Sequence, residues 1–428
     1  VATPVVQSGD YLIELDTGFQ VDAFTLDDTL RGLLNSPTYV LDGTTQFADI
    51  TPYCRRVNYR RGRRKDTDQF GPGTMAVVLD DTLAGGILSP YDTSSPYYDP
   101  ANNQPGLAPL RIIRLSREGE YLFVGVVVNY DYQFELGGSN LVNILAADGF
   151  YKLAQCYLDE WNVTPETSGE RLETLLDLPE VSLFPGAERN IATGTVNLGH
   201  ASAFTVQKGT NALQYAQQIN DTAEFGRLFM DRTGVFTFQE RIGVTLSAPV
   251  IQFDDQGAET PYNDLEIEFD ASHVVNRATV TSLEDVTGTD DDPASQTTYF
   301  IQTRAISSSL LHQQGELDSA AAYLLVPDPE PRFTSVATNF ALLTSLQRDA
   351  AATVDIGDTI QIEKTVLGFG ALTEEMAVEG IDAVIDFAQG HTVRFYTSPT
   401  TVVFSLILDD PVYGTLADAL GQSSNVLG

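Results

Sequence analysis

Period-two alternation of apolar and polar residues restricts the fold of this chain more than any other feature. Leu265-Glu266-Ile267-Glu268-Phe269 alternates strictly, as does much of 273–281, and Tyr11-Leu12-Ile13-Glu14-Leu15 alternates less strictly. That period places alternate side chains on one face of a strand, so each stretch predicts a half-buried strand. Met75-Ala76-Val77-Val78-Leu79, the run 121–128 and the run 392–396 add strand candidates rich in β-branched and aromatic residues. Turn chemistry separates them. Residues 89–106 hold Pro, Asn, Asp and Gly in a long surface loop with local tyrosine anchors. Residues 284–293 read as an acidic loop, and 354–362 as a turn flanked by strands.

The period changes in the middle of the chain. Across 140–160, Leu141, Ile144, Leu145, Phe150, Leu153, Ala154 and Tyr157 fall at helical spacing. Ser168, with Glu170 in the first turn, opens a second helix that stops before Pro179, and 211–223 reads as a third. Residues 226–238 read as a hairpin turned by Arg232-Thr233-Gly234. An Ala-rich helix is expected over 317–325, ended by Pro327 and Pro329. The expected class is mainly β with an α+β insert. A β-rich segment 1–137 and a second, 242–396, flank an α+β module at 138–241, and 397–428 forms a polar tail. No fixed-period repeat suggests a solenoid or propeller.

Charge is as uneven as periodicity. The chain of 428 residues carries a formal net charge of −35, yet seven of its 24 Lys and Arg residues lie within 55–65. These are Arg55, Arg56, Arg60, Arg61, Arg63, Arg64 and Lys65. Residues 242–428 hold 28 Asp and Glu against 6 Lys and Arg. So negative a chain repels polyphosphate and disfavours general nucleic-acid binding. The alternation in Arg56-Val57-Asn58-Tyr59-Arg60 predicts a strand running into a turn, with arginines displayed. Three partners remain open for this island: a DNA backbone, solvent alone, or acidic surface on a neighbouring subunit or protein, where Arg forks match carboxylates.

Signals for chemistry are weak. Cys54 and Cys156 form no CxxC pair and read as buried free thiols. His200, His273, His312 and His391 are scattered without metal spacing and read as surface or loop residues. There is no GxSxG and no phosphate-binding GxxxxGK[ST], and Gly368-Phe369-Gly370 lacks the third glycine and the helix of a dinucleotide site. Asp290-Asp291-Asp292 could gather a hard cation, but lacks the alternating ligand spacing of a calcium loop and reads as solvated. Two sequons, at Asn162 and Asn220, are read as accidental. No catalytic residue, metal or cofactor is expected. Val1-Ala2-Thr3-Pro4 shows no secretory pattern and the longest apolar run, 122–128, is too short to span a bilayer, so a soluble chain is expected.

Taken in order, several segments carry a family resemblance. Phe47-Ala48-Asp49-Ile50-Thr51-Pro52-Tyr53, Val57-Asn58-Tyr59-Arg60-Arg61-Gly62-Arg63 and Gly73-Thr74-Met75-Ala76-Val77-Val78-Leu79-Asp80 come first. Tyr97-Tyr98-Asp99-Pro100 and Tyr121-Leu122-Phe123-Val124-Gly125-Val126 follow. Ser168-Gly169-Glu170-Arg171-Leu172, the hairpin 226–238, Tyr396-Thr397-Ser398-Pro399 and Leu408-Asp409-Asp410-Pro411-Val412-Tyr413-Gly414 complete the series. This succession resembles the minor tail, or tail-tip baseplate hub, proteins of long-tailed bacteriophages. Thr82-Leu83-Ala84-Gly85-Gly86 departs from the usual loop of that family.

The resemblance implies two β-barrel-like domains around the α+β module and a homotrimer that forms a ring matched to the tail tube. It implies a non-enzymatic virion component at the tail tip, assembled in the host cytoplasm. Its implied partners are the distal tail protein, the tape measure protein and tail fibre or tip proteins, without specific nucleic-acid binding or a membrane anchor. A distal tail protein, or a carbohydrate-binding tail component using the tyrosines of 91–98, is the alternative. Under the leading reading, the seven cations of the island are the expected contact with a neighbour.

Overall fold

In a computed structural model of the chain, the structure describes residues 10–399 apart from 30, 66, 100, 200–203, 242–247, 367 and 369. The expectations for residues 1–4, Pro100, His200, Phe369 and the tail from 400 to 428 lie outside the described residues. The N-terminal region supplies seven strands of one large sheet: β1 (Tyr11–Asp16), β2 (Phe47–Asp49), β3 (Cys54–Gly62), β4 (Thr74–Asp80), β5 (Ile112–Arg117), β6 (Glu120–Gln133) and β7 (Leu141–Ala147). They run in the order β3-β4-β7-β6-β5-β1-β2, and every pairing is antiparallel.

The strand β7 corrects the helix expected over 140–160. Val142, Ile144 and Ala146 are buried while Leu145 is exposed, which is strand periodicity. Both edges of β7 are paired, to β4 and β6, and that pairing overrides a local spacing compatible with either period. Only α1 (Gly149–Ala154) is helical in this stretch. Asp148 caps it, accepting a bond from Phe150 N at 3.0 Å and another from Gly73 N at 2.7 Å.

The module beyond follows its sequence signals more closely. Helix α2 (Ser168–Asp177) opens on a capping box of Thr167 and Glu170, so Thr167, not Ser168, is the cap. The Ser168 hydroxyl donates instead to the buried Glu224 at 2.6 Å. Helix α3 (Ala212–Ile219) is capped by Asn211. The expected hairpin is present as β8 (Arg227–Met230) and β9 (Phe236–Gln239), its turn held by Asp231 accepting from Thr233 N and Val235 N.

The C-terminal region begins with β10 (Ile251–Asp254), β11 (Thr260–Pro261) and β12 (Asp264–Glu268). Next come β13 (Arg277–Ser282), β14 (Thr287–Asp291), α4 (Pro293–Tyr299), β15 (Thr303–Ser309) and α5 (Gln314–Tyr323). Last are β16 (Arg332–Asn339), α6 (Ser345–Thr353), β17 (Thr359–Val366), β18 (Gly370–Asp386) and β19 (Gly390–Pro399). Much of the acidic loop expected at 284–293 is strand β14, on the edge of a three-stranded sheet β14-β13-β15. The turn at 354–362 has a strand only after it, because α6 precedes it. The mainly β class with helical insertions is the class found.

The two β-rich regions share one sheet of 14 strands, because β18 pairs with β3. From Gly370 to Ala377, β18 pairs with β17; from Gly380 to Asp386, it pairs with β3. Strand β19 pairs with β18 from 376 to 386 and continues to β16 and β12. One hydrophobic core therefore joins Ile13, Val57 and Val77 to Phe253, Ile360 and Phe395. A second core joins Phe150, Leu172 and Phe236 of the module to Val280, Leu311 and Leu317, so the segment around α5 packs with the module.

Candidate interface: the arginine seam

The basic island is strand β3 and the turn after it. Its alternation sets Val57, Tyr59 and Arg61 inward and Arg56 and Arg60 outward. The expectation that the arginines are all displayed needs correction, because Arg61 retains only 3% of its side-chain exposure and Arg63 is also largely covered. Acidic groups of the same chain account for most of the island. Arg55 pairs with Asp80, Arg60 and Arg64 with Asp382 at 3.5 and 3.2 Å, and Lys65 with Glu268 at 3.3 Å. Arg61 reaches Asp355, which also accepts from Arg232 N at 2.8 Å. Arg56 contacts Asn58 Oδ1 at 3.0 Å.

Glu379 is the centre of this seam. It occupies the bulge in β18 where the register against β19 shifts between Val378 and Gly380. Only 1% of the residue is exposed, and its carboxylate accepts from Arg63 Nε at 2.8 Å, Arg227 Nη2 at 2.8 Å and Ser398 Oγ at 2.7 Å. Burial would raise its pKa, but Arg227 and Arg63 outweigh that and hold it at about 2. The bulge also brings backbones together: Arg63 N donates to Glu379 O at 2.9 Å. A Cβ on Gly62, whose φ is 76°, would lie 2.3 Å from Glu379 O. A Cβ on Gly380 would lie 2.3 Å from Arg63 O.

Other flagged residues are not brought into a common site. Asp292 caps α4, accepting from Ala294 N and Ser295 N, while Asp290 and Asp291 accept from Asp291 N and Gln296 respectively. Among the described residues, no group of three or more His, Cys, Asp or Glu is placed to hold a metal ion. His391, expected at the surface, is buried: its Nδ1 lies 2.8 Å from Tyr11 Oη and its ring 3.9 Å from that of Phe340. Burial, with Arg117 nearby, holds its pKa down at about 3. Cys54 is buried and Cys156 half-buried, both as free thiols. In the proline-rich loop Tyr97 and Tyr98 pack inward, whereas Tyr91 is exposed. No helix among the described residues is long and apolar enough to cross a membrane.

Glu379, Asp355 and Asp382 are the seam residues that sequence reasoning missed. No local signal marks them among 59 Asp and Glu residues.

No protein-family model and no curated protein matches the sequence. Solved structures do match the fold. A tail protein from Neisseria meningitidis MC58 is similar with a TM-score of 0.56 at 12% identity, over 90% of this chain and 96% of that one. A 43 kDa tail protein of prophage MuSo2 from Shewanella oneidensis is similar with a TM-score of 0.53 at 10% identity, over 82% of this chain and 96% of that one. The chain therefore has the fold of these tail proteins.

Proposed function

We propose that this chain is a non-enzymatic structural component of a phage tail, placed at the tail tip as a hub between the tube and the distal proteins. The observation that carries the reading is likeness over nearly the whole length of a tail protein, 96% of the Neisseria chain, and not over one shared module. A single sheet that ties residues 54–62 to residues 370–386 makes a rigid subunit, as a load-bearing ring requires. Two barrel-like units around the 138–241 module, assembled as a trimer, belong to the same reading. So do contacts with distal tail, tape measure and fibre proteins.

The interface role of the island narrows to its outer members. Arg61 and Arg63 are committed to Asp355 and Glu379, so reversing them would unfold the subunit rather than test a contact. Arg56 and Arg64 present exposed charge, Arg64 with 54% of its side chain accessible. These two are the proposed contacts with acidic surface of a neighbouring subunit. Electron microscopy of tails carrying the labelled protein tests the whole reading. Three copies at the tip support it, and six copies in a ring favour a distal tail protein. Normal tails from the Arg56→Glu/Arg64→Glu variant would remove those residues from the interface.

A further inference from the structure

Behind the seam lies a cleft of about 380 Å³ where β3, the module and the C-terminal strands meet. Arg63, Arg227, Arg241, Arg304 and Arg332 all line it, in a chain that has only 24 Lys and Arg against 59 Asp and Glu. They come from five separate places: the turn after β3, strand β8, the end of the β9 segment, strand β15 and the start of β16. A second cleft, of about 230 Å³, shares Thr67, Arg304, Val326 and Arg332 with the first, so Arg304 stands at the junction of the two.

The arginines are not equally committed. Glu379 neutralises Arg63 and Arg227. Arg241 lies over the Tyr323 ring at 4.8 Å, and its buried Nη1 has no hydrogen-bond partner among the described residues. Arg304 forms no ion pair among the described residues. Besides Glu379, the acidic groups Asp68, Asp221 and Glu240 also line the cleft, where they accept from uncharged donors. Asp221 accepts from Gln69 and Asn220, Glu240 from Gly194 N, and Asp68 from Lys65 N. A buried guanidinium N–H without an acceptor is costly, and a planar two-oxygen acceptor matches its fork. The chain's net negative charge does not forbid such a ligand, because at physiological salt the Debye length is about 8 Å and the nearest charges dominate.

We infer that this cleft is a binding site for a small oxyanion, a phosphate or carboxylate group, held chiefly by Arg241 and Arg304. The inference is independent of the proposed place in the tail.

Calorimetric titration of the full chain with inorganic phosphate, and separately with citrate, at constant ionic strength with chloride as the control, tests it. Saturable binding at roughly millimolar or tighter Kd is expected for at least one of the two, and which one binds distinguishes phosphate from carboxylate. Arg304→Gln and Arg241→Gln should each weaken it by about tenfold, the loss of one charge-assisted bond. If neither anion saturates below about 10 mM, or if Arg304→Gln binds as the parent does, the assignment is wrong. Arg304 lies on a partly exposed strand, so its variant keeps the test decisive even where Arg241→Gln does not fold.

Discussion

Arg63 and Glu379 lie 316 positions apart in the chain and 2.8 Å apart in the fold. Their contact, with Arg227 on the other carboxylate oxygen, ties the N-terminal strands, the module and the C-terminal strands to one buried charge. Removing one member of a buried ionic set leaves the others desolvated and unpaired, which costs about 3–5 kcal/mol. Glu379→Gln is therefore expected to lower unfolding stability by that amount in urea titrations. A loss below about 1 kcal/mol, the range of surface pairs, would sink the claim that Glu379 organises the seam.

The same carboxylate fixes an acid limb of stability. Its folded pKa of about 2 lies below the value of about 4.3 for an unfolded glutamate. The unfolded state thus binds the proton first as pH falls. The stabilisation is complete above pH ~4.3 and is lost as pH drops toward 2. The stability difference between the parent chain and Glu379→Gln should shrink over that window, as measured by denaturant titration at successive pH values.

Asp148 titrates with the opposite sign. Burial raises its pKa to about 7, although bonds from Gly73 N and Phe150 N oppose the shift. Between the unfolded value near pH 3.9 and pH ~7 the folded state holds more protons, so stability falls as pH rises. Asp148→Asn removes that slope. The advantage of the parent over the variant should be larger at pH 5 than at pH 7.5, by more than about 1 kcal/mol. An advantage constant with pH would show that Asp148 is ionised throughout.

Backbone contact at the seam admits no side chain. Gly380→Ala would drive a Cβ against Arg63 O, and Gly62→Ala would add a strained φ to a clash with Glu379 O. Each is expected to cost at least about 2 kcal/mol. Thermal unfolding of the two variants checks this, and an unchanged Tm for either would show that the strands separate easily.

The thiols should differ in reactivity. Burial pushes Cys54 up to about 12, whereas Cys156 is half-exposed and raised less. One thiol per native chain, Cys156, is expected to react with a disulfide reagent at pH 8, and both after denaturation. Mass spectrometry of labelled peptides identifies which reacts first.

Features set by neighbouring residues were readable from sequence. The β8–β9 hairpin follows from its turn Arg232-Thr233-Gly234, and α3 from the spacing of Leu213, Ala216 and Ile219, although the structure makes Asn211 its cap and ends it at Ile219. Strand β7 was misread because its apolar residues satisfy a helical period, and only the strands on both sides decide between them. Strand β14 was hidden by its composition, Thr-Gly-Thr-Asp-Asp, which an edge strand tolerates because one side needs no packing. The arginines of the seam were visible as a cluster. Most of their partners were not, because Glu268, Asp355, Glu379 and Asp382 lie 203 to 318 residues further along the chain.

That order of completion bears on synthesis. Strand β3 emerges from the ribosome with one edge that only residues 380–386 will cover. At ordinary elongation rates of about 5–20 residues per second, the edge waits for tens of seconds. An open edge is a template for pairing with another nascent chain. Here it carries Arg55, Arg56, Arg60 and Arg61, and two such edges repel one another. The cluster would thus guard the growing polypeptide until β18 arrives, bringing Asp382 to Arg60 and Arg64 and Glu379 to Arg63.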